Sequence, residues 1–108
     1  MTPHAAYAGP VLRLHGRLDV QAAADVRLAL AAAVDAGTGE LAVDLSGLDG
    51  VDATGLGVLV GAHRRAQRAG RTLVLLDVPP TVGRLLFLTR LEKVLRTRRT
   101  DDRALICR

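Results

Sequence analysis

Asp44-Leu45-Ser46-Gly47-Leu48-Asp49-Gly50-Val51-Asp52-Ala53-Thr54-Gly55-Leu56-Gly57-Val58-Leu59 compresses a strand end, a turn and a helix start into one short run. Leu41 to Leu45, apolar but for Asp44, suits a strand buried on both faces of a sheet that helices cover. Ser46 to Gly50 has the chemistry of a turn. A helix comes next and runs to about Ala69, with Leu56, Leu59, Val60 and Ala66 toward the core and Arg64, Arg65 and Arg68 outward, until Gly70 ends it. Thr54 falls at or near the helix N-terminus, where free N–H groups and the helix dipole favour an anion. A hydroxyl there either caps the helix or accepts a phosphate, and position alone favours the cap. Asp52 is open in the same way: it is either the cap or a polar group that orients the hydroxyl.

The flanks repeat the alternation. Upstream, Val11 to Leu18 reads as a strand bounded by Pro10 and Gly16, with a shorter strand around Ala5 to Ala8 and Gly9-Pro10 as a hairpin turn. Asp19 is a good N-cap for a helix from Val20 to Ala36 that puts Val26, Leu30, Ala33 and Val34 on one face and stops at Gly37. Downstream, Thr72 to Val78 is a further β-rich run. Pro79-Pro80 opens a third helix, where a missing N–H costs little, with Val82, Leu85, Leu86 and Leu88 inward. Val94-Leu95 reads as a last short strand, and Asp101 to Leu105 begins a final helix. The expected fold is α/β over residues 1–108 as one domain. It has a mixed, mostly parallel sheet of four to five strands with about four helices packed on it, and 1–10 is a short N-terminal segment or first strand.

Composition narrows the function. Of 108 residues, 49% are apolar, enough for one core, yet Tyr7 and Phe87 are the only aromatics. That disfavours modules that stack bases on aromatic platforms. Cys107 is the single cysteine, so neither a disulfide framework nor a Cys-based zinc site is expected. The net charge of +4 comes from the last third: nine basic and four acidic residues from Arg71 onward, against six and seven before it. Every basic residue but Lys93 is an arginine, and the excess reads as a solvated or partner-facing edge rather than a nucleic-acid surface. No apolar run approaches a membrane span, and the N-terminus lacks the pattern of a signal peptide, so a cytoplasmic protein with no membrane insertion is expected.

The Asp44 to Leu59 run resembles the signature of the STAS domain and, within it, the bacterial anti-sigma factor antagonists. His15-Gly16-Arg17-Leu18-Asp19 resembles the Gly-x-Leu-Asp stretch that opens the family's first helix. Val74 to Pro79 followed by Val82-Gly83-Arg84-Leu85-Leu86 resembles its next strand and helix, and Leu91 to Leu95 with Asp101 to Leu105 its ending. The resemblance implies the STAS fold and switchable protein binding. Such antagonists capture an anti-sigma factor kinase with a histidine-kinase-like ATPase fold and so free a sigma factor for transcription. The kinase phosphorylates the antagonist at the hydroxyl residue before Gly-Leu-Gly, and a PP2C-type phosphatase resets it. On this chain the acceptor position is Thr54, Asp52 matches the Asp two residues before it, and Asp19 matches an Asp beside the same surface. The implied partner face is Asp19, Asp52, Ala53, Thr54, Gly55 and Leu56, with Gly57 and Gly61 serving helix packing. The chain departs from the family in having Asp-Ala-Thr-Gly where Asp-Ser-Ser-Gly is usual. The resemblance also admits a role as regulatory subunit of a lipid-transporting ABC system, and it leaves a homodimer open.

An enzyme is the weaker class. Gly55-x-Gly57 with Asp77 twenty residues on superficially suggests a dinucleotide site, but Val60 stands where the third glycine belongs. There is no Gly-x-x-x-x-Gly-Lys loop, and His4, His15 and His63 show no ligand spacing. No cofactor, metal or catalytic residue is therefore expected, nor direct nucleic-acid binding.

Overall fold

The computed structural model describes residues 11–100. The expected strand at 5–8, its Gly9-Pro10 turn and the helix from Asp101 lie outside the described residues. The described chain runs β1 (Val11–Leu18), α1 (Ala23–Asp35), β2 (Glu40–Val51), α2 (Ala53–Arg68), β3 (Thr72–Leu76) and α3 (Pro80–Leu88). A single 3₁₀ turn (Leu91–Lys93) and β4 (Arg96–Arg98) complete it. The sheet order is β1-β2-β3-β4, and each of these pairings is parallel, so among the described residues the sheet is not mixed.

The period-2 alternation of β2 sorts its side chains. Leu41, Val43 and Leu45 enter the main core, together with Leu30 and Val34 of α1, Leu59 and Ala66 of α2, and Val82 and Leu86 of α3. Each such fully buried Leu or Val side chain contributes about 1.5–3 kcal/mol. The other face holds a small cluster of Ala42, Val74 and Leu76, with Val11 against it. Leu88, expected inward, is 63% exposed, because it lies beyond the face that Val82 and Leu86 define. The last strand forms at Arg96–Arg98 rather than at Val94-Leu95: Leu95 is buried, while Val94 closes the 3₁₀ turn by donating its N–H to Leu91 O.

Helix α1 starts three residues later than expected. Asp19 Oδ1 accepts from the N–H groups of Gln21 and Ala22, 3.1 Å each, and folds 19–22 into a turn instead of capping the helix directly. Helix α2 ends in a Schellman motif. Gly70, at φ +72°, donates to Gln67 O, and Arg71 N–H reaches Ala66 O at 2.8 Å.

Ser46 to Gly50 is not a turn. It continues β2 to Val51, pairing with β1 as far as Leu18, and absorbs two extra residues as bulges. Its glycine explains why a strand is possible there. A Cβ at Gly47 would sit 2.7 Å from His15 Nδ1 and 3.0 Å from Leu14 O, so the two strands approach where no side chain intervenes. The extension carries the chain past the end of β3, which pairs with β2 only as far as Asp44, and delivers Asp52 beside the end of β1.

Candidate functional site

Asp52 is the N-cap of α2, and Thr54 is not. The extended backbone of Asp52 lets its Oδ1 accept from Gly55 N–H at 2.9 Å, while its carbonyl takes the first helical bond from Leu56 N–H. Its second oxygen, Oδ2, accepts from Val20 N–H at 3.2 Å, and its own N–H reaches Leu18 O. One carboxylate therefore ties the turn after β1 to the start of α2. This link brings Asp19 and the Asp52–Thr54 segment to the same end of the molecule.

Gly55 is the close-packing residue. A Cβ there would lie 2.1 Å from the Leu18 carbonyl oxygen, a backbone atom that cannot swing aside. Gly57 and Gly61, expected to serve packing, meet nothing within 4 Å, so that expectation is corrected: the tight position is Gly55. Leu56 is buried in the core and presents no side chain to a partner. Of the six residues expected on the face, Ala53 and Thr54 are exposed and Asp19 and Asp52 half-buried, while Gly55 and Leu56 lie beneath them. Val20, 68% exposed, adds an apolar side chain that sequence reading missed.

The Thr54 hydroxyl makes no hydrogen bond to the described residues, and the N–H groups of Ala53 and Thr54 find no acceptor among them. Asp52 has satisfied only the third amide of the first turn. The place thus offers an exposed hydroxyl over two free backbone donors at the positive end of a helix. Such a place suits a covalently attached anion. Asp52 has both carboxylate oxygens on backbone amides, His63 is buried on α2, and His15 lies on β1 against Gly47. Asp19 uses one oxygen on its own turn and holds the other 3.7 Å from Arg17 Nε.

A second polar feature escaped the sequence. Arg71, buried at the start of β3, sends Nε to Gly39 O, Nη1 to Ala33 O and Val34 O, and Nη2 to Thr38 O and Glu40 O. It closes the carbonyl end of α1 and the loop after it. Its position directly after Gly70 is the one sequence cue, and a lone arginine does not announce carbonyl partners more than thirty residues upstream.

The chain matches the family model described as "Mlab, STAS domain" over residues 1–97. It is 31% identical over 86 residues to the anti-sigma F factor antagonist of Paenibacillus polymyxa, covering 79% of this chain and 74% of that one. A solved anti-sigma factor antagonist from Mycobacterium paratuberculosis superposes with a TM-score of 0.75 at 25% identity, covering 90% of this chain and 82% of that one. The Bacillus cell fate determinant SpoIIAA in its phosphorylated form shares the fold, with a TM-score of 0.62, 22% identity and coverage of 91% and 89%. Parallel sheet, Asp-capped second helix and family match agree, and the chain belongs to the STAS domain family.

Proposed function

We propose that this protein is an anti-sigma factor antagonist of the cytoplasm, a regulatory binding protein and not an enzyme. It captures an anti-sigma factor kinase of histidine-kinase-like ATPase fold on the face formed by Asp19, Val20, Asp52, Ala53 and Thr54. Phosphate on Thr54 ends the capture, and a PP2C-type phosphatase restores it. The observation that carries this reading is the exposed, unbonded Thr54 hydroxyl set one residue inside an Asp-capped helix.

The switch needs no refolding. A phosphate adds about −1.5 to −2 charges. The free N–H groups of Ala53 and Thr54 can hold that charge in place, and the dipole of α2 favours it. The partner, fitted to a neutral hydroxyl at the end of the molecule that also carries Asp19 and Asp52, then meets a bulky dianion. Like charge and desolvation weaken the contact while the core stays as it was. The similarity to antagonists of anti-sigma factors favours this reading over a subunit of a lipid-transporting ABC system.

The test is purified anti-sigma factor kinase from the source genome, mixed with this chain and Mg-ATP. One phosphate should appear on Thr54, and Thr54→Val should take none. Thr54→Glu should weaken capture by about tenfold or more with folded stability within about 0.5 kcal/mol of the parent. Equal capture by Thr54→Glu and by the parent chain would sink the switch.

A further inference from the structure

The side of α2 that carries Thr54 continues down the helix. Thr54, Val58, Gly61, Arg65 and Arg68 are spaced by four, three, four and three residues and lie along one face. All but Thr54 line a cleft of about 150 Å³ between α2 and α1. Its floor is apolar, made by Leu30 and Ala31 of α1 and Val58 of α2. Its rims are cationic: Arg27 on α1, Arg65 and Arg68 on α2. Asp35 neutralises Arg65 through two hydrogen bonds of 3.1 and 2.6 Å. Arg27 and Arg68 have no carboxylate partner among the described residues.

The floor is open where Gly61 stands, since a Cβ there would meet nothing within 4 Å. Gly57, one turn nearer Thr54, is equally open. Neither glycine is required by packing inside the chain, and both lower the helix stability that alanine would give. They do let another backbone come close to α2.

We propose that this cleft receives an acidic amphipathic helix of the same protein that covers Thr54. The proposal rests on the antagonist reading for the partner's identity, and on the cleft and its charge for the rest. A groove between two helices is filled by the ridge of a third. From Val58 to Arg68 the cleft spans nearly three turns, roughly 15 Å, and Thr54 lies one turn beyond it. An apolar ridge would lie over Gly57 and Gly61, with carboxylates on either side meeting Arg27 and Arg68. The apolar floor fits such a helix better than a polyanion, and Asp52 with Asp19 stands at the Thr54 end, where a continuous phosphate backbone would be repelled. An acidic partner also gives the switch its sign: the arginines attract it, and phosphate at the head of the groove repels it.

The cleft is tested on the full chain, ¹⁵N-labelled, with a helix-stabilised peptide of about 14 residues that carries leucines on one face and glutamates on its flanks. The expected result is saturable shifts centred on the Gly57, Gly61 and Ala31 amides. The same peptide with lysines for glutamates should give none. Gly61→Leu should fill the floor and abolish the shifts while melting no lower than the parent. Arg27→Glu with Arg68→Glu should weaken binding by about tenfold or more at low salt, and less as salt rises. No shifts at Gly57 and Gly61 up to about 1 mM peptide would overturn the proposal, as would shifts from phosphatidylglycerol vesicles or a DNA duplex in place of the acidic peptide. The kinase separates the two levels. If it binds the parent chain and Gly61→Leu equally, the cleft is not its seat although the antagonist reading stands. If it binds neither, the antagonist reading fails and the peptide titration still decides the cleft.

Discussion

The start of α2 and the end of α1 are treated in opposite ways. At the end of α1, every donor of a buried guanidinium is spent on backbone carbonyls, from Ala33 and Val34 in the last turn to Thr38, Gly39 and Glu40 beyond it. At the start of α2, Asp52 satisfies one amide and leaves those of Ala53 and Thr54 to the outside, under an exposed hydroxyl. Both ends carry the partial charge of a helix terminus. One is sealed by a residue of the chain itself, and the other is left open to the outside; under the proposed function that opening is where the phosphate is held.

The comparison breaks first at Arg71. Arg71→Met keeps much of the apolar stem but strands five carbonyl contacts around a buried position. Stability should fall by about 3 kcal/mol, since hydrogen bonds to charged groups are worth about 1.5–3 kcal/mol and the stranded acceptors add to the loss. Urea unfolding monitored by far-ultraviolet circular dichroism measures this. The molecules that remain folded should still take phosphate on Thr54. A variant as stable as the parent would mean that water serves the end of α1 as well as Arg71 does.

The open end responds more mildly but couples to function. Gly55→Ala drives a Cβ toward the Leu18 carbonyl, which must move by roughly an ångström to restore an ordinary contact. Overpacking of this kind costs about 1–3 kcal/mol, and it also tilts Thr54 out of place, so thermal stability and phosphate uptake should drop together. Asp52→Ala removes the cap and frees Val20 N–H; a loss of about 1–2 kcal/mol is expected, and Asp52→Asn should recover only part of it, because its one amide oxygen keeps the bond from Gly55 N–H while its NH2 group faces Val20 N–H. If Asp52→Ala lowers stability without changing capture of the kinase, the tie between the β1–α1 turn and α2 is structural alone.

Much of the fold could be read from the chain because its cues are periodic. Leu41 to Leu45 and Thr72 to Leu76 are apolar runs of strand length, and the 3.6-residue spacing of Val26, Leu30 and Val34 or of Leu56, Leu59 and Ala66 admits little but helix. The failures fall where one composition serves two geometries. Ser46 to Gly50 has the residues of a turn, and a bulged strand uses the same residues; buried Leu48 within it was the overlooked sign. Asp52 and Thr54 are both good caps, two positions apart, and only the backbone decides which one closes the helix. Three glycines crowd 55 to 61, and nothing in the sequence says that Leu18 lies against the first of them. Arg71 could not be foreseen beyond its place after Gly70, since its partners are carbonyls that any residue supplies. The candidate site was read through Thr54 and its neighbours, but the depth of Leu56 and the exposure of Val20 came from packing.

The smallest effect belongs to the rim of the α1–α2 cleft, and it sharpens the contrast between buried and exposed charge. The hydrogen bonds from Arg65 hold the Asp35 carboxyl below its ordinary value, and Asp35 correspondingly raises Arg65. A carboxyl that is more acidic in the folded state stabilises the fold above its unfolded value. That contribution disappears as pH falls through the lower, folded one. The raised arginine stays protonated over the whole working range, so the sign is set by Asp35. Melting temperature should therefore be flat in this respect from neutral pH to about pH 5 and decline only below about pH 4, where unfolded aspartates take up protons. Asp35→Asn should flatten that acid limb slightly, and about 1 M salt should do the same by screening the exposed pair. A clear dependence of the Asp35→Asn difference on pH between about 6 and 8 would mean that another titrating group governs this rim.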